Sequence, residues 1–383
     1  MRELLVRAPR WALALAQLAH AASWVLLFWV ATSQGIVGLT PAAIAWIHLV
    51  ALGWITLTAL AILIPLIPAT TGVLWKAPRL QHLALAGFAL GAICFPAAWL
   101  AFERAIPALG GILVVAAIFY VALALWTLAG AARGERVERA VARAFSLSLA
   151  IFAIVAIIGA TLAGAIAAAD IPAWFGNLAR AHALLALLGW LTLLIYGVSA
   201  RTLRLLFAVR SRLLFAHIVV GTLGMAGALL LAAGAGAGSL ATMWVGAVAM
   251  AIAAVAYAVD TLDIVARSQG AMVVRAFVVA SVLWSLVAVA LGIGTLLGHH
   301  WGDAFGYVVL VGWVGQMLDA HLASLARTLP AWLSFVAFQS AVLYGVVGLL
   351  VGLATPVALA AAFGGLGWCA AIVAIGSGYR PIE

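Results

Sequence analysis

Twelve apolar runs, each long enough to cross a lipid bilayer, follow one another along this 383-residue chain with short polar segments between them. A spanning helix requires about 20 mostly apolar residues, and backbone polar groups in lipid must be hydrogen-bonded within the segment, so each run predicts a helix. The runs fall at about 11–35, 41–66, 80–102, 107–131, 145–168, 176–200, 212–234, 240–263, 273–297, 304–328, 331–355 and 357–378. The sequence therefore predicts an all-α polytopic membrane protein of about twelve helices, in which residues 1–383 form a single transmembrane domain.

Composition excludes a soluble fold. Hydrophobic residues make up 68% of the chain and charged residues only 8%, which leaves too little polar surface to cover a soluble protein of this size. The lipid bilayer is therefore the first expected partner. The net charge of +9 reflects basic residues scattered through the loops, and we expect no nucleic-acid partner.

The basic residues also predict the orientation of the helices. Of the 19 Lys and Arg residues, all but Arg104 and Arg180 fall in loops on one side of a twelve-helix chain. Loops rich in Lys and Arg remain in the cytoplasm. We therefore expect cytoplasmic N and C termini, with the chain in a bacterial inner (cell) membrane.

A Gly-Trp pair recurs in every fourth run. It stands at Gly53-Trp54 in the second run, at Gly189-Trp190 in the sixth and at Gly312-Trp313 in the tenth. The small residue of such a pair allows close packing between helices, so the pair alone carries no function. Its recurrence predicts three pseudo-repeated units of four helices each.

Two histidines are the leading candidates for a cofactor site, because ionisable residues inside lipid are costly. Counted from the outer side, His48 and His182 both lie about 10 Å into their helices, at 1.5 Å per residue. At equal depth, the two imidazoles could bind one haem iron from opposite sides. Arg180, at the outer end of the sixth run, could neutralise a haem propionate or reach the lipid headgroups. The aromatic residues are spread along the chain, and we infer no cofactor cage from them.

A second group of polar residues lies toward the inner side. It comprises His20, His217 and His321, of which His217 and His321 are expected at a common depth where they could bind a second haem or a metal. The alternative is a buried polar cluster that fixes helix register. Asp319 is best placed to meet Gln316, three residues earlier on the same helix face, or a basic residue of another helix.

The stretches around these residues resemble haem-copper oxidase subunit I, and more closely its divergent cytochrome c oxidase subunit I-like relatives. The resemblance is carried by Trp46-Ile-His48-Leu-Val-Ala-Leu-Gly-Trp, by Ala181-His182-Ala-Leu-Leu-Ala-Leu-Leu-Gly-Trp with Gly197-Val-Ser-Ala-Arg201, and by Gly312-Trp313-Val-Gly-Gln316 through Leu329-Pro330. It implies twelve helices in three units and haem b. It also implies electron transfer or nitric oxide and oxygen handling, with a cytochrome c-like or other membrane redox subunit as partner.

The chain departs from that family at the copper site. The outer half of the tenth run has no histidine, and no His-His pair stands near the seventh run. The resemblance therefore carries His48 over as a haem ligand and places His182 on the helix that would supply a copper ligand. Because the other copper ligands are missing, copper stays possible but unsupported, and the binuclear centre is expected to be incomplete. An oxidase or nitric-oxide-reductase-like activity stays open.

Two further classes of function fit the same features. Twelve helices, internal repeats and a few buried polar residues are also typical of a membrane transporter or channel. A haem-free scaffold that assembles a partner would retain the helices without the ligands.

Overall fold

The computed structural model describes residues 7–34, 40–101, 103–133, 136–168, 171–209, 211–324 and 328–378. These residues form α-helices with short π and 3₁₀ segments, and they contain no strand. The all-α fold predicted from the apolar runs is confirmed.

Twelve helical segments, α1 to α12, run through the described residues at nearly the predicted positions. Their bounds are Arg10–Trp29 for α1, Pro41–Thr71 for α2, Pro78–Ala101 for α3, Ile106–Leu128 for α4, Arg136–Ala167 for α5, 175–207 for α6, Leu214–Ala237 for α7, Leu240–Ala266 for α8, Met272–Leu296 for α9, 302–323 for α10, Thr328–Val351 for α11 and Ala354–Gly378 for α12. Helix α2 extends five residues beyond its predicted end, although it contains Pro65 and Pro68.

Eleven helices of the described chain are long and apolar enough to cross a membrane. The exception is α10, which carries Gln316, Asp319 and His321 near its inner end. These three residues are buried inside the bundle, as is usual for polar residues at membrane depth. The chain is therefore a multi-pass membrane protein, and the polar residues of α10 are enclosed by the other helices.

Local sequence explains where α2 begins and ends. Thr40 caps its N-terminus by accepting a hydrogen bond from the Ala43 amide at 3.1 Å, and Pro41 occupies the first helical position, where no amide donor is needed. Gly72 ends the helix in the left-handed conformation, with φ of 70°.

Each Gly-Trp pair lies in a π-helical segment. The three segments are Leu49–Thr56 in α2, Leu185–Thr192 in α6 and Val308–Gly315 in α10. Each has eight residues, with the Gly-Trp pair at the fifth and sixth. Short π segments within α-helices are rare and are often found at functional sites, so their recurrence at one position supports the predicted repeat.

Packing against the preceding helix repeats in the same way. A Cβ atom at Gly189 would lie 2.8 Å from Ile151 of α5, and one at Gly312 would lie 3.1 Å from Trp284 of α9. Ser148 and Ser281 stand three residues before Ile151 and Trp284. The Ser148 hydroxyl donates to the Trp190 carbonyl at 3.1 Å, and the Ser281 hydroxyl donates to the Trp313 carbonyl at 2.9 Å. The units α5–α8 and α9–α12 thus share one construction.

The first unit, α1–α4, follows this construction with one change. A Cβ atom at Gly53 would lie 2.9 Å from Ala19 of α1, so Ala19 corresponds to Ile151. Ala16 then stands where the other units have serine.

Helices α2, α6 and α10 meet at the centre of the bundle. In the most apolar part of each helix, 78% of the residues are buried in α2 and 61% in α6, against 28% in α12. The Trp190 indole N–H of α6 donates to the Thr56 hydroxyl of α2 at 3.1 Å, and the π segment of α10 contacts both other π segments. The outer ends of these three helices surround the site described next.

Candidate functional site

A cavity of about 640 Å³ lies between the N-terminal halves of α2, α6 and α10, in the half of the bundle that the basic residues predict to be the outer one. Its volume is in the range of about 300–1,000 Å³ that is usual for sites binding organic ligands. The lining is almost entirely apolar, and His48 and His182 are among its few polar side chains. The structure thus brings together the two histidines that the sequence singled out.

His48 lines this cavity with one ring nitrogen bonded to its own helix. Its Nδ1 bonds the Ile44 carbonyl at 2.8 Å, one turn earlier in α2. A carbonyl can only accept, so Nδ1 carries the proton and Nε2 keeps its lone pair. Phe95 lies edge-on to the imidazole, with ring centroids 5.3 Å apart. A histidine held by its Nδ1–H with a free Nε2 has the arrangement of a metal ligand.

His182 faces the same cavity from α6. Its Nδ1 is buried and makes no hydrogen bond to the protein. Gly159 of α5 makes room for the ring, because a Cβ atom there would lie 3.0 Å from His182 Cε1.

Two charged residues line the outer rim of the cavity. Arg180, two residues before His182 in α6, and Asp303, at the start of α10, are both exposed while lining it. A ligand with an apolar body and a carboxylate at its outer edge would place that carboxylate near Arg180.

Aromatic residues line part of the cavity wall, although their spread in the sequence gave no sign that they would meet. They come from helices distant in sequence and include Trp46, Trp99, Phe152, Trp190 and Trp313. Helix packing brings them together, so aromatic residues can share one cavity without recurring at a regular spacing in the sequence. Two of them belong to Gly-Trp pairs, which was the one available signal.

The inner group is arranged differently from the prediction. His321 Nδ1 bonds the Met317 carbonyl at 2.7 Å and its Nε2 is buried without a partner. His217 lies in α7, and its side chain is outside the described residues, so a shared His217–His321 site stays a prediction. The expected pairing of Asp319 with Gln316 is not found, because no hydrogen bond of the described residues joins them, and the Gln316 side-chain oxygen accepts from the Gln339 amide at 2.9 Å.

Among the described residues, no group of three or more His, Cys, Asp or Glu side chains is arranged to bind a metal ion. A site built on His48 and His182 would therefore have two protein ligands, as in a haem protein with two axial histidines.

A comparison with models of known protein families finds no match, and no curated protein matches the chain either. We therefore infer function from the geometry of the cavity and from the chemistry of the residues that line it.

Proposed function

We propose that this chain is a b-type haem-binding membrane protein, with the haem in the outer cavity and with His48 and His182 as its axial ligands. The observation that carries the proposal is that two half-buried histidines, from separate four-helix units, line one apolar cavity of about 640 Å³. Two axial histidines favour electron transfer, while a single ligand would leave a position for nitric oxide or oxygen.

The donor set fits the group. Haem b needs neutral imidazole lone pairs for its iron, an apolar wall for its ring and a cation near its propionates. His48 offers Nε2 because Nδ1 is bonded to Ile44, and His182 has an unpaired ring nitrogen. Arg180 stands at the rim.

The protein's own residues would orient and shield the cofactor. Haem supplies one-electron redox chemistry when bound. The Ile44 carbonyl fixes the tautomer and raises the basicity of His48, Gly159 leaves space for the His182 ring, and the aromatic wall excludes water. The resemblance to haem-copper oxidase subunit I implies a cytochrome c-like or other membrane redox subunit as partner.

The test is a visible spectrum of the purified protein, oxidised and reduced, for wild type, His48→Ala and His182→Ala. His82→Ala is the matched control, because His82 Nδ1 also bonds a carbonyl one turn earlier, Pro78 at 2.7 Å, but the residue is exposed and lies outside the cavity lining. We expect a b-type α band that disappears in both cavity variants and is unchanged in the control.

Carbon monoxide distinguishes the two haem functions. A reduced spectrum that carbon monoxide leaves unchanged supports two axial histidines and electron transfer. A shifted Soret band supports one ligand and gas handling. A folded protein from haem-supplemented cells with no Soret band contradicts the proposal and favours the assembly scaffold.

The finer localisation belongs to the same proposal. The distribution of basic residues supports a bacterial inner membrane with both termini in the cytoplasm. Reporter fusions at residue 383, active only in the cytoplasm or only outside it, test this orientation. Activity of the outside reporter would contradict it.

A transporter for an apolar molecule is the second candidate. The three π segments interrupt the central helices at one level, and transporters often bind substrate where helices are discontinuous. The apolar cavity would suit a hydrophobic substrate. Uptake of such a molecule into vesicles by His48→Ala as efficiently as by wild type would favour this reading over haem.

A further inference from the structure

A second, much smaller pocket lies toward the opposite end of the bundle. Its volume is about 20 Å³, which suits one water molecule, because a water needs about 10–15 Å³ of such volume. Helices α1, α9, α10, α11 and α12 all contribute to its wall, and its polar side chains are Gln17, His20, Asp319, Ser334 and Trp368. It shares no lining residue with the outer cavity.

Several polar atoms in this wall have no protein partner. Both ring nitrogens of His20 and the indole Nε1 of Trp368 are buried and make no hydrogen bond to the protein. Asp319 is only 8% exposed, and none of the hydrogen bonds of the described residues reaches its carboxyl group. Unpaired buried polar groups are costly, and a water that bridges two to four of them removes that cost.

Aromatic stacking holds His20 in place. The His20 ring stacks on Trp54 with centroids 3.5 Å apart and 5° between the planes, and on Phe338 at 5.6 Å. In the second unit, Phe152 occupies the corresponding position and stacks on Trp190 at 4.6 Å. A phenyl ring therefore satisfies the packing, and the two nitrogens of His20 are the feature that packing leaves unexplained.

We propose that this pocket binds one water molecule and that Asp319, the water and His20 form a proton-exchange site within the membrane. Asp319 holds one proton on its carboxyl group. In the exchange, that proton passes to the water, the water gives one of its own protons to His20, and the products are a carboxylate and an imidazolium. The total charge of the pocket does not change, which suits an interior where a lone charge is strongly disfavoured.

Among the described residues of the wall, no other ionisable side chain accompanies this pair. Among the described lining residues, α9 contributes Phe277, α11 contributes Ala331, Ser334 and Phe338, and α12 contributes apolar residues and Trp368. His20 and Asp319 are thus the titratable groups that face this pocket. The site does not depend on haem in the outer cavity, so either proposal can fail while the other stands.

Infrared spectroscopy of the full chain in lipid vesicles tests the site, with H₂O and D₂O as the probes. We expect a protonated-carboxyl C=O band that moves to lower frequency in D₂O and is absent in Asp319→Asn. Asp303→Asn is the control, because Asp303 is an exposed carboxyl at the outer rim and its loss should leave the band intact.

His20→Phe separates proton exchange from packing, because it keeps the stacked ring found at Phe152. We expect the Asp319 band to move to higher frequency, as it loses a hydrogen-bonded partner, and H/D exchange to slow by about tenfold. Trp368→Phe removes one donor to the water and should shift the band without abolishing exchange.

The proposal is overturned if the exchanging band persists in Asp319→Asn, or if His20→Phe changes neither its frequency nor its exchange rate. A band that responds to replacing sodium with potassium would also overturn it, because the occupant would then be a cation. If Asp319→Asn fails to fold, the His20→Phe comparison decides.

Discussion

The outer cavity and the inner pocket show two ways to place histidines at membrane depth. His48 and His182 face an open apolar space of about 640 Å³, and His48 has one nitrogen bonded to its own helix and the other free. His20 faces a pocket of about 20 Å³, between two aromatic rings, with neither nitrogen bonded. The first arrangement is that of a ligand for a large apolar group, and the second is that of a partner for one small polar molecule.

The pseudo-repeat makes this difference informative. Both regions adjoin π segments that contain Gly-Trp pairs, so the framework is shared. In the second unit, Phe152 and Trp190 both line the outer cavity. In the first unit, the equivalent pair is His20 and Trp54, of which His20 lines the inner pocket. A single change from a phenyl ring to an imidazole accompanies the change from an apolar to a polar environment.

The largest expected effect comes from enlarging the inner pocket with Phe338→Ala. Phe338 is 1% exposed and stacks on His20, so its loss leaves a cavity that costs about 3 kcal/mol of the free energy of unfolding. The measurement is unfolding in detergent, with Phe119→Ala as control because Phe119 is 39% exposed and should cost much less.

Phe338→Ala also tests whether the inner pocket and the outer cavity are independent sites. Haem absorbance in Phe338→Ala should match wild type in every folded sample, because Phe338 does not line the outer cavity. A changed α band in folded protein would show that the inner pocket shapes the outer site.

Filling the outer cavity is the next largest change. Gly159→Leu places a side chain where the His182 ring lies, since even a Cβ atom would be 3.0 Å from Cε1. We expect haem affinity to fall by about tenfold or more, equivalent to about 1.4 kcal/mol, as measured by haemin titration of the apoprotein.

Gly164→Leu is the control for this change. It makes the same substitution in the same helix, where a Cβ atom meets nothing within 4 Å. Equal loss of affinity in both variants would assign the effect to α5 itself and not to the space around His182.

The sequence predicted the helices far better than the pockets. Apolar runs and basic loops placed most ends of the twelve helices within six residues, because spanning length is a local property. The exceptions are α5, which begins nine residues before its predicted run, and α6, which ends seven residues after it. The depth argument also put His48 and His182 at one level. The π segments were not predicted, since Gly-Trp is equally compatible with an α-helix.

The inner pocket was beyond sequence reasoning for a different reason. It joins His20 of α1 to Asp319 of α10, and no periodicity relates residues so far apart. The expected partner of Asp319, Gln316, satisfied the helical spacing but is bonded to Gln339 of α11. Spacing predicts which residues share a helix face, whereas packing between helices decides which of them meet.

The smallest effect tests the junction between the two regions. Thr56 lines the outer cavity and ends the π segment that contains Trp54, the residue on which His20 stacks. Thr56→Val removes the acceptor of the buried Trp190 indole N–H and should cost about 1 kcal/mol of unfolding free energy. Thr58→Val is the control, because the Thr58 hydroxyl is buried without any partner, so its removal should be neutral or stabilising.

We expect Thr56→Val to leave the Asp319 infrared band unchanged, because the lost hydrogen bond joins α2 to α6 and the ring stack on His20 stays. A shift of that band would show that the two regions are coupled through the α2 π segment.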